Sequence, residues 1–152
     1  MEGPDSPAEL KARALRFLVR REHSRAELER KLSPYAESED VLRDVLDQLL
    51  SRRHQSDERF AEERARVLSR KYGAAKIRQD LKARGVSDEV IGKLSAEGEL
   101  ARARAILARK YRVPATTREE RAKRARFLQG RGFSYDVIRS LLGSAPLQET
   151  AE

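Results

Sequence analysis

The sequence predicts an all-α protein built from three tandem three-helix repeats. Three observations carry that expectation. Apolar residues recur at spacings of three and four with almost no alternating, strand-like stretch. Helix-start signatures follow one another along the chain: Ser6, Pro7 and Glu9, then Ser24 with Glu27. And the set Leu81, Arg84, Gly85, Val86, Ser87, Val90, Ile91 and Leu94 returns 47 residues later as Leu128, Arg131, Gly132, Phe133, Ser134, Val137, Ile138 and Leu141.

The Ser6 cap opens a first helix through Leu10, Ala14, Leu15, Phe17 and Leu18 to about Glu22, and the Ser24 cap a second through Leu28 and Leu32, stopped by Pro34. A third begins near Ser38 and presents Val41, Leu42, Val45, Leu46, Leu49 and Leu50, a stripe wide enough to require packing on two sides. Asp57 is expected to cap a fourth through Phe60, Ala61, Ala65 and Leu68 to Tyr72. Gly73 breaks the chain before Ile77 and Leu81 on a fifth, which Gly85 ends as a C-terminal glycine. Ser87 starts the sixth. The seventh carries Leu100, Ala103, Ile106, Leu107 and Tyr111 and stops before Pro114. Thr116 or Thr117 with Glu119 or Glu120 caps the eighth, Gly132 closes it, and Ser134 opens the ninth.

Moving the repeat frame 49 residues upstream sets Ser24 against Gly73, Leu28 against Ile77, Leu32 against Leu81 and Val45 against Leu94, with Ala36 in the glycine position. The expected divisions are an N-terminal tail and cap at 1–9, repeats at 10–55, 56–97 and 98–143, and a disordered tail at 144–152. Each repeat has too few core residues to stand alone, so neighbours should share apolar faces in an elongated array that is free to curve.

The 152 residues carry 33 Lys and Arg against 25 Asp and Glu, a net charge of +8. The excess is graded along the chain: residues 1–56 hold 11 basic and 11 acidic side chains, 57–98 hold 10 and 8, and 99–152 hold 12 and 6. A concentrated basic surface suits nucleic acid or an acidic protein. The absence of cysteine excludes disulfide scaffolds and thiol chemistry, no run of 18 apolar residues exists, and Met1 to Leu10 lacks the pattern of a secretion signal, so a cytoplasmic protein with no membrane association is expected.

Catalysis has no foothold. There is no glycine-rich phosphate loop, no Gly-x-Ser-x-Gly and no His-Glu-x-x-His, so neither enzyme activity nor a metal or other cofactor is expected. His23 and His54 stand alone at the ends of helices one and three, where the helix dipole favours a cation. Glu62 and Glu63, like Glu119 and Glu120, are adjacent and diverge on a helix. The third helix of each unit is its most apolar and poorest in base-reading side chains, which argues against a major-groove recognition helix. Tyr72 and Tyr111 follow equivalent basic pairs, Arg70-Lys71 and Arg109-Lys110, and read as aromatics closing an apolar stripe.

The stretch Ser56-Asp57-Glu58-Arg59-Phe60-Ala61, with Lys71-Tyr72-Gly73, Ile77, Leu81 and Ala83-Arg84-Gly85-Val86, resembles the RecX regulatory family; Ser24 to Leu32 and Val45 to Leu49 resemble its first repeat. The resemblance runs from about Ala12 to Leu142. Gln55-Ser56 stands where the family usually has an apolar residue and a second Asp, and the loop Arg112 to Thr117 is longer than its counterpart in the middle repeat. The resemblance implies a negative regulator of RecA recombinase that lodges in the groove of the RecA filament on single-stranded DNA and inhibits strand exchange, ATP hydrolysis and co-protease activity. Its partner would be RecA, with the protein itself a monomer. The residues expected to meet the filament or its DNA are Lys71, Lys76, Arg78, Lys82 and Arg84 in the middle repeat and Arg121, Lys123, Arg124 and Arg126 in the last. The competing reading is a protein that binds single- or double-stranded DNA directly, without RecA.

Overall fold

A computed structural model describes residues 3–95 and 97–143; the tail expected to be disordered from Ser144 onward lies outside them. Among the described residues the chain forms nine α-helices and a short 3₁₀ turn at Ser33–Tyr35, with no strand. The helices are α1 Pro7–Arg20, α2 Arg25–Leu32, α3 Glu39–Ser51, α4 Asp57–Leu68, α5 Ala74–Ala83, α6 Asp88–Gly92, α7 Glu99–Lys110, α8 Arg118–Gly130 and α9 Tyr135–Leu142. No described helix is long and apolar enough to cross a membrane.

The starts follow the capping chemistry. Ser6 and Ser24 each accept from the N–H three residues on, while Glu9 and Glu27 reach back to the cap N–H, so orphan donors at both helix starts are satisfied. Ser38, Ser87, Thr117 and Ser134 cap α3, α6, α8 and α9, each accepting from the N–H three residues on, without an acid returning to the cap N–H. The start of α4 differs from expectation. The Ser56 hydroxyl accepts from the Arg59 N–H, so Ser56 takes the capping role. That frees the Asp57 carboxylate to accept from the Arg25 N–H at 2.8 Å, at the first residue of α2. Gln55, buried beside it, donates its amide both to Asp57 and to the His23 carbonyl.

Contacts group the chain into two compact units, Met1–Arg64 with Leu81–Leu94, and Ala65–Asp80 with Ser95–Glu152. Both α4 and α5 contribute residues to each. In the first unit α1, α2 and α3 pack on one another around Leu10, Ala14, Leu28, Leu32, Leu42, Val45, Leu46 and Leu49. Burying each of these Leu and Val side chains contributes roughly 1.5–3 kcal/mol, which is why the apolar stripes dictate the packing. The stripe of α3 is narrower than its sequence suggests, because Leu50 stays half exposed. In the second unit α7, α8 and α9 enclose Ala103, Ile106, Ala125, Leu128, Phe133 and Ile138.

His23 also departs from expectation. It is a fully buried ring rather than a cation at a helix end, and burial lowers its pKa from the usual 6.5. Its Nδ1 lies 3.0 Å from the Arg21 carbonyl and its Nε2 2.9 Å from Lys31 Nζ. A carbonyl can only accept and an ammonium only donate, so these partners assign the proton to Nδ1 and leave Nε2 as acceptor.

Candidate functional site

The basic residues expected to meet a partner fall into three settings. Lys71 between α4 and α5, Lys76 and Arg78 on α5, and Lys123 and Arg126 on α8 are exposed, and Arg121 on α8 is half buried. Lys82 pairs with Asp88 at 2.9 Å. Two others are built into the fold. Arg84 donates to Glu27 at 2.7 Å. Arg124 is buried, with its guanidinium carbon 4.5 Å from the centre of the Tyr111 ring, an arrangement in which the ring face takes the place of a counter-ion.

Glu27 is the most constrained charge of the first unit. Its carboxylate accepts from Arg21 at 3.0 and 3.3 Å, from Arg84 at 2.7 Å and from the Ser24 N–H at 3.1 Å. Burial pushes its pKa up, but the bonds from Arg21, Ser24 and Arg84 outweigh burial and hold it at about 2.

In the second unit a group of cations gathers without an acid. A cavity of about 530 Å³ is lined by Arg70, Lys71, Lys76, Arg109, Lys110 and Arg131, together with Tyr72, Ile106, Phe127 and Gly130. Its lining contains six cations and no carboxylate, and none of the six forms an ion pair among the described residues.

Backbone and aromatic groups hold these side chains in place. Arg109 donates to the Arg70 carbonyl at 2.9 Å and Arg131 to the Lys71 carbonyl at 3.2 Å. Lys110 and Arg131 lie 5.2 and 5.1 Å from the Phe127 ring centre, and Arg131 lies 5.6 Å from that of Tyr72.

The cavity depends on a close backbone approach. Gly73 donates its N–H to the Arg131 carbonyl at 2.8 Å, and Ala75 to the Gly132 carbonyl at 3.1 Å. A Cβ on Gly73 would lie 2.6 Å from the Gly132 oxygen, so only glycine fits. Of the nine residues named from sequence, the cavity collects Lys71 and Lys76. It adds Arg70, Arg109, Lys110 and Arg131, whose signal in the sequence was the pair of equivalent Arg-Lys dipeptides before Tyr72 and Tyr111 and the match of Arg131 to Arg84.

Among the described residues no group of three or more His, Asp or Glu side chains is placed to hold a metal. Comparison with known proteins is consistent along the chain. Models of the first, second and third three-helix domains of RecX match residues 11–49, 56–93 and 97–142. The chain is 43% identical over 145 residues to the regulatory protein RecX of Ralstonia nicotianae, covering 93% of this chain and 91% of that one. It is 44% identical over 149 residues to that of Herbaspirillum seropedicae, covering 96% and 97%. A crystal structure of RecX from Lactobacillus salivarius superposes with a TM-score of 0.78 at 22% identity, covering 95% of this chain and 96% of that one, a likeness of fold. With three domain models in order and relatives above 40% identity over nearly the whole chain, the protein belongs to the RecX regulatory protein family.

Proposed function

We propose that this protein is a cytoplasmic, monomeric modulator of the RecA recombinase, acting by engaging the RecA filament on single-stranded DNA and restraining strand exchange, ATP hydrolysis and co-protease activity. The observation that supports this reading best is the six-cation cavity without an internal counter-ion. A filament of DNA and protein is a repeating anionic assembly, and cations that meet no carboxylate in the free protein are available to it. Repetition adds a second advantage: several modest contacts on one chain gain through effective concentration once the first has formed. In this reading the exposed Arg78, Lys123 and Arg126 and the half-buried Arg121 supply rim charge that favours the encounter, and catalysis has no part in it.

The deciding experiment measures the single-stranded-DNA-dependent ATPase rate of RecA with and without this protein. Inhibition at well below one molecule per RecA subunit, retained when the free DNA concentration is raised, is the expected result. Inhibition that needs stoichiometric protein and vanishes as DNA is added would instead mean competition for DNA, the outcome for a protein that binds DNA directly. Charge reversal at Lys71 and Lys76 should weaken inhibition and make what remains less sensitive to salt, because fewer cation–anion contacts are left to screen.

A further inference from the structure

The chain contains the same junction twice, and only one copy is electrostatically complete. In the first, the Ser24 hydroxyl donates to the Arg84 carbonyl at 2.7 Å, and Gly85, at φ +85°, packs against Ala26. In the second, the Gly73 N–H donates to the Arg131 carbonyl at 2.8 Å, and Gly132, at φ +94°, packs against Lys76. Asp57 accepts from the Arg25 N–H in the first, and Glu99 from the Ala74 N–H at 3.3 Å in the second. Ser24 and Gly73, like Arg25 and Ala74, correspond at an offset of 49 residues, and Arg84 and Arg131, like Gly85 and Gly132, at 47, the same offsets that relate the repeats; the residues packed on the glycines and the two acids, Asp57 and Glu99, fill the same places without keeping that register.

In that frame Arg21 corresponds to Arg70 and Arg84 to Arg131, so both arginines are kept. The acids are not: Glu22 becomes Lys71 and Glu27 becomes Lys76. Where the first junction holds a carboxylate between two arginines at 3.0 and 2.7 Å, the second has a cavity of about 530 Å³ whose lining contains no acid.

We propose that the second junction binds in trans what the first holds in cis, an acidic peptide segment of a partner protein that places one carboxylate between Arg70 and Arg131 and at least one more against Lys71 or Lys76. A carboxylate is the anion this frame already accommodates in its first copy, and the guanidinium fork matches its planar oxygens two by two. Two acids are missing, so a segment with paired carboxylates restores the balance that one would leave short. The assignment deepens the functional reading above and rests on its treatment of the cavity as a partner surface.

The test uses the full chain and a short fluorescent Glu-rich peptide, with its Gln counterpart and an oligothymidylate as comparison probes. The Glu peptide binds and the Gln peptide does not. Lys76→Glu, which restores the first junction's acid, weakens peptide binding by at least about tenfold, as expected when a charge in the contact is reversed, with an unfolding midpoint at or above that of the parent. Arg30→Glu, an equal charge change at an exposed site of α2, changes affinity by less than about twofold. Lys76→Gln, which introduces no acid, weakens binding by roughly threefold or more. Equal losses from Lys76→Glu and Arg30→Glu, full affinity in Lys76→Gln, or an oligothymidylate that binds more tightly and depends more on Lys76 than the peptide does would each overturn the assignment. Because RecA is absent from this measurement, the two readings fail separately. No peptide binding alongside an inhibited ATPase overturns this assignment alone, and peptide binding without any effect on the ATPase overturns the filament reading alone.

Discussion

Glu27 accepts a hydrogen bond from Arg84 at 2.7 Å, across 57 residues of sequence, and thereby fastens the start of α2 to the turn before α6. Arg21 grips the same carboxylate from the other end of the α1–α2 connection. A carboxylate this buried is tolerated because charged donors meet both of its oxygens; taking it away removes the centre of a network rather than one exposed pair.

Glu27→Gln is therefore expected to cost about 2–3 kcal/mol at neutral pH, since the amide keeps the shape but not the charge that Arg21 and Arg84 share. The pH dependence has a definite sign. The folded pKa of about 2 lies below the ordinary 4.5, so the stabilisation is complete above 4.5 and is lost as pH falls toward 2. Urea unfolding of parent and variant between pH 7 and pH 2 checks this: the gap should close on acidification, and a constant gap would contradict it.

Gly132→Ala should be far more damaging than Gly143→Ala, although both glycines have positive φ, +94° and +89°. Each substitution carries a positive-φ penalty on the order of 1–3 kcal/mol. Only Gly132 has a neighbour, with the Lys76 backbone nitrogen 2.7 Å from the added Cβ, whereas nothing lies within 4 Å at Gly143. Overpacking adds roughly 1–3 kcal/mol at Gly132. Thermal unfolding of the two variants, with equal shifts as the contrary result, decides the matter.

Arg124→Ala should destabilise by about 1–2 kcal/mol through lost stacking on Tyr111 and lost packing of its stem. Arg126→Ala, exposed on the same helix, should stay within about 0.5 kcal/mol. Any loss of inhibition from Arg124→Ala should then follow the fraction unfolded, whereas a loss from Arg126→Ala at full folding would report partner contact. Chemical denaturation alongside the ATPase measurement separates the two.

Depth is what the sequence leaves unwritten. The caps at Ser6, Ser24, Ser87 and Ser134 are legible because their chemistry is completed within four residues. The match of Leu81–Leu94 to Leu128–Leu141 exposes the repeat for the same reason, since pattern is local. Lys82 and Arg84, two residues apart, look alike as charges, yet one forms an exposed pair and the other a partly buried one with Glu27, 57 residues away. Asp57 has the composition of a helix cap, but it serves the N–H of Arg25 once Ser56 has taken that place. The convergence of Arg70 with Arg109, 39 residues apart, follows from the packing of helices and not from either dipeptide.

His23 offers a further check on the first junction, because its neutrality follows from where it sits. Burial is the chief cause of its lowered pKa, and the nearby charges of Arg21 and Lys31 act in the same direction, against the opposing pull of the Arg21 carbonyl and Glu27. A folded pKa below the unfolded 6.5 means that protonation favours the unfolded chain. The stability this group contributes is complete above pH 6.5 and declines as pH falls below it toward the folded value. Protonated, the ring would also lose Nε2 as acceptor for Lys31 and set two cations 2.9 Å apart. Titration of the His23 ring followed by NMR should show a midpoint below 6.5, with its Nδ1 protonated at neutral pH. A midpoint at or above 6.5 would mean that the buried, Lys31-paired imidazole is the wrong description.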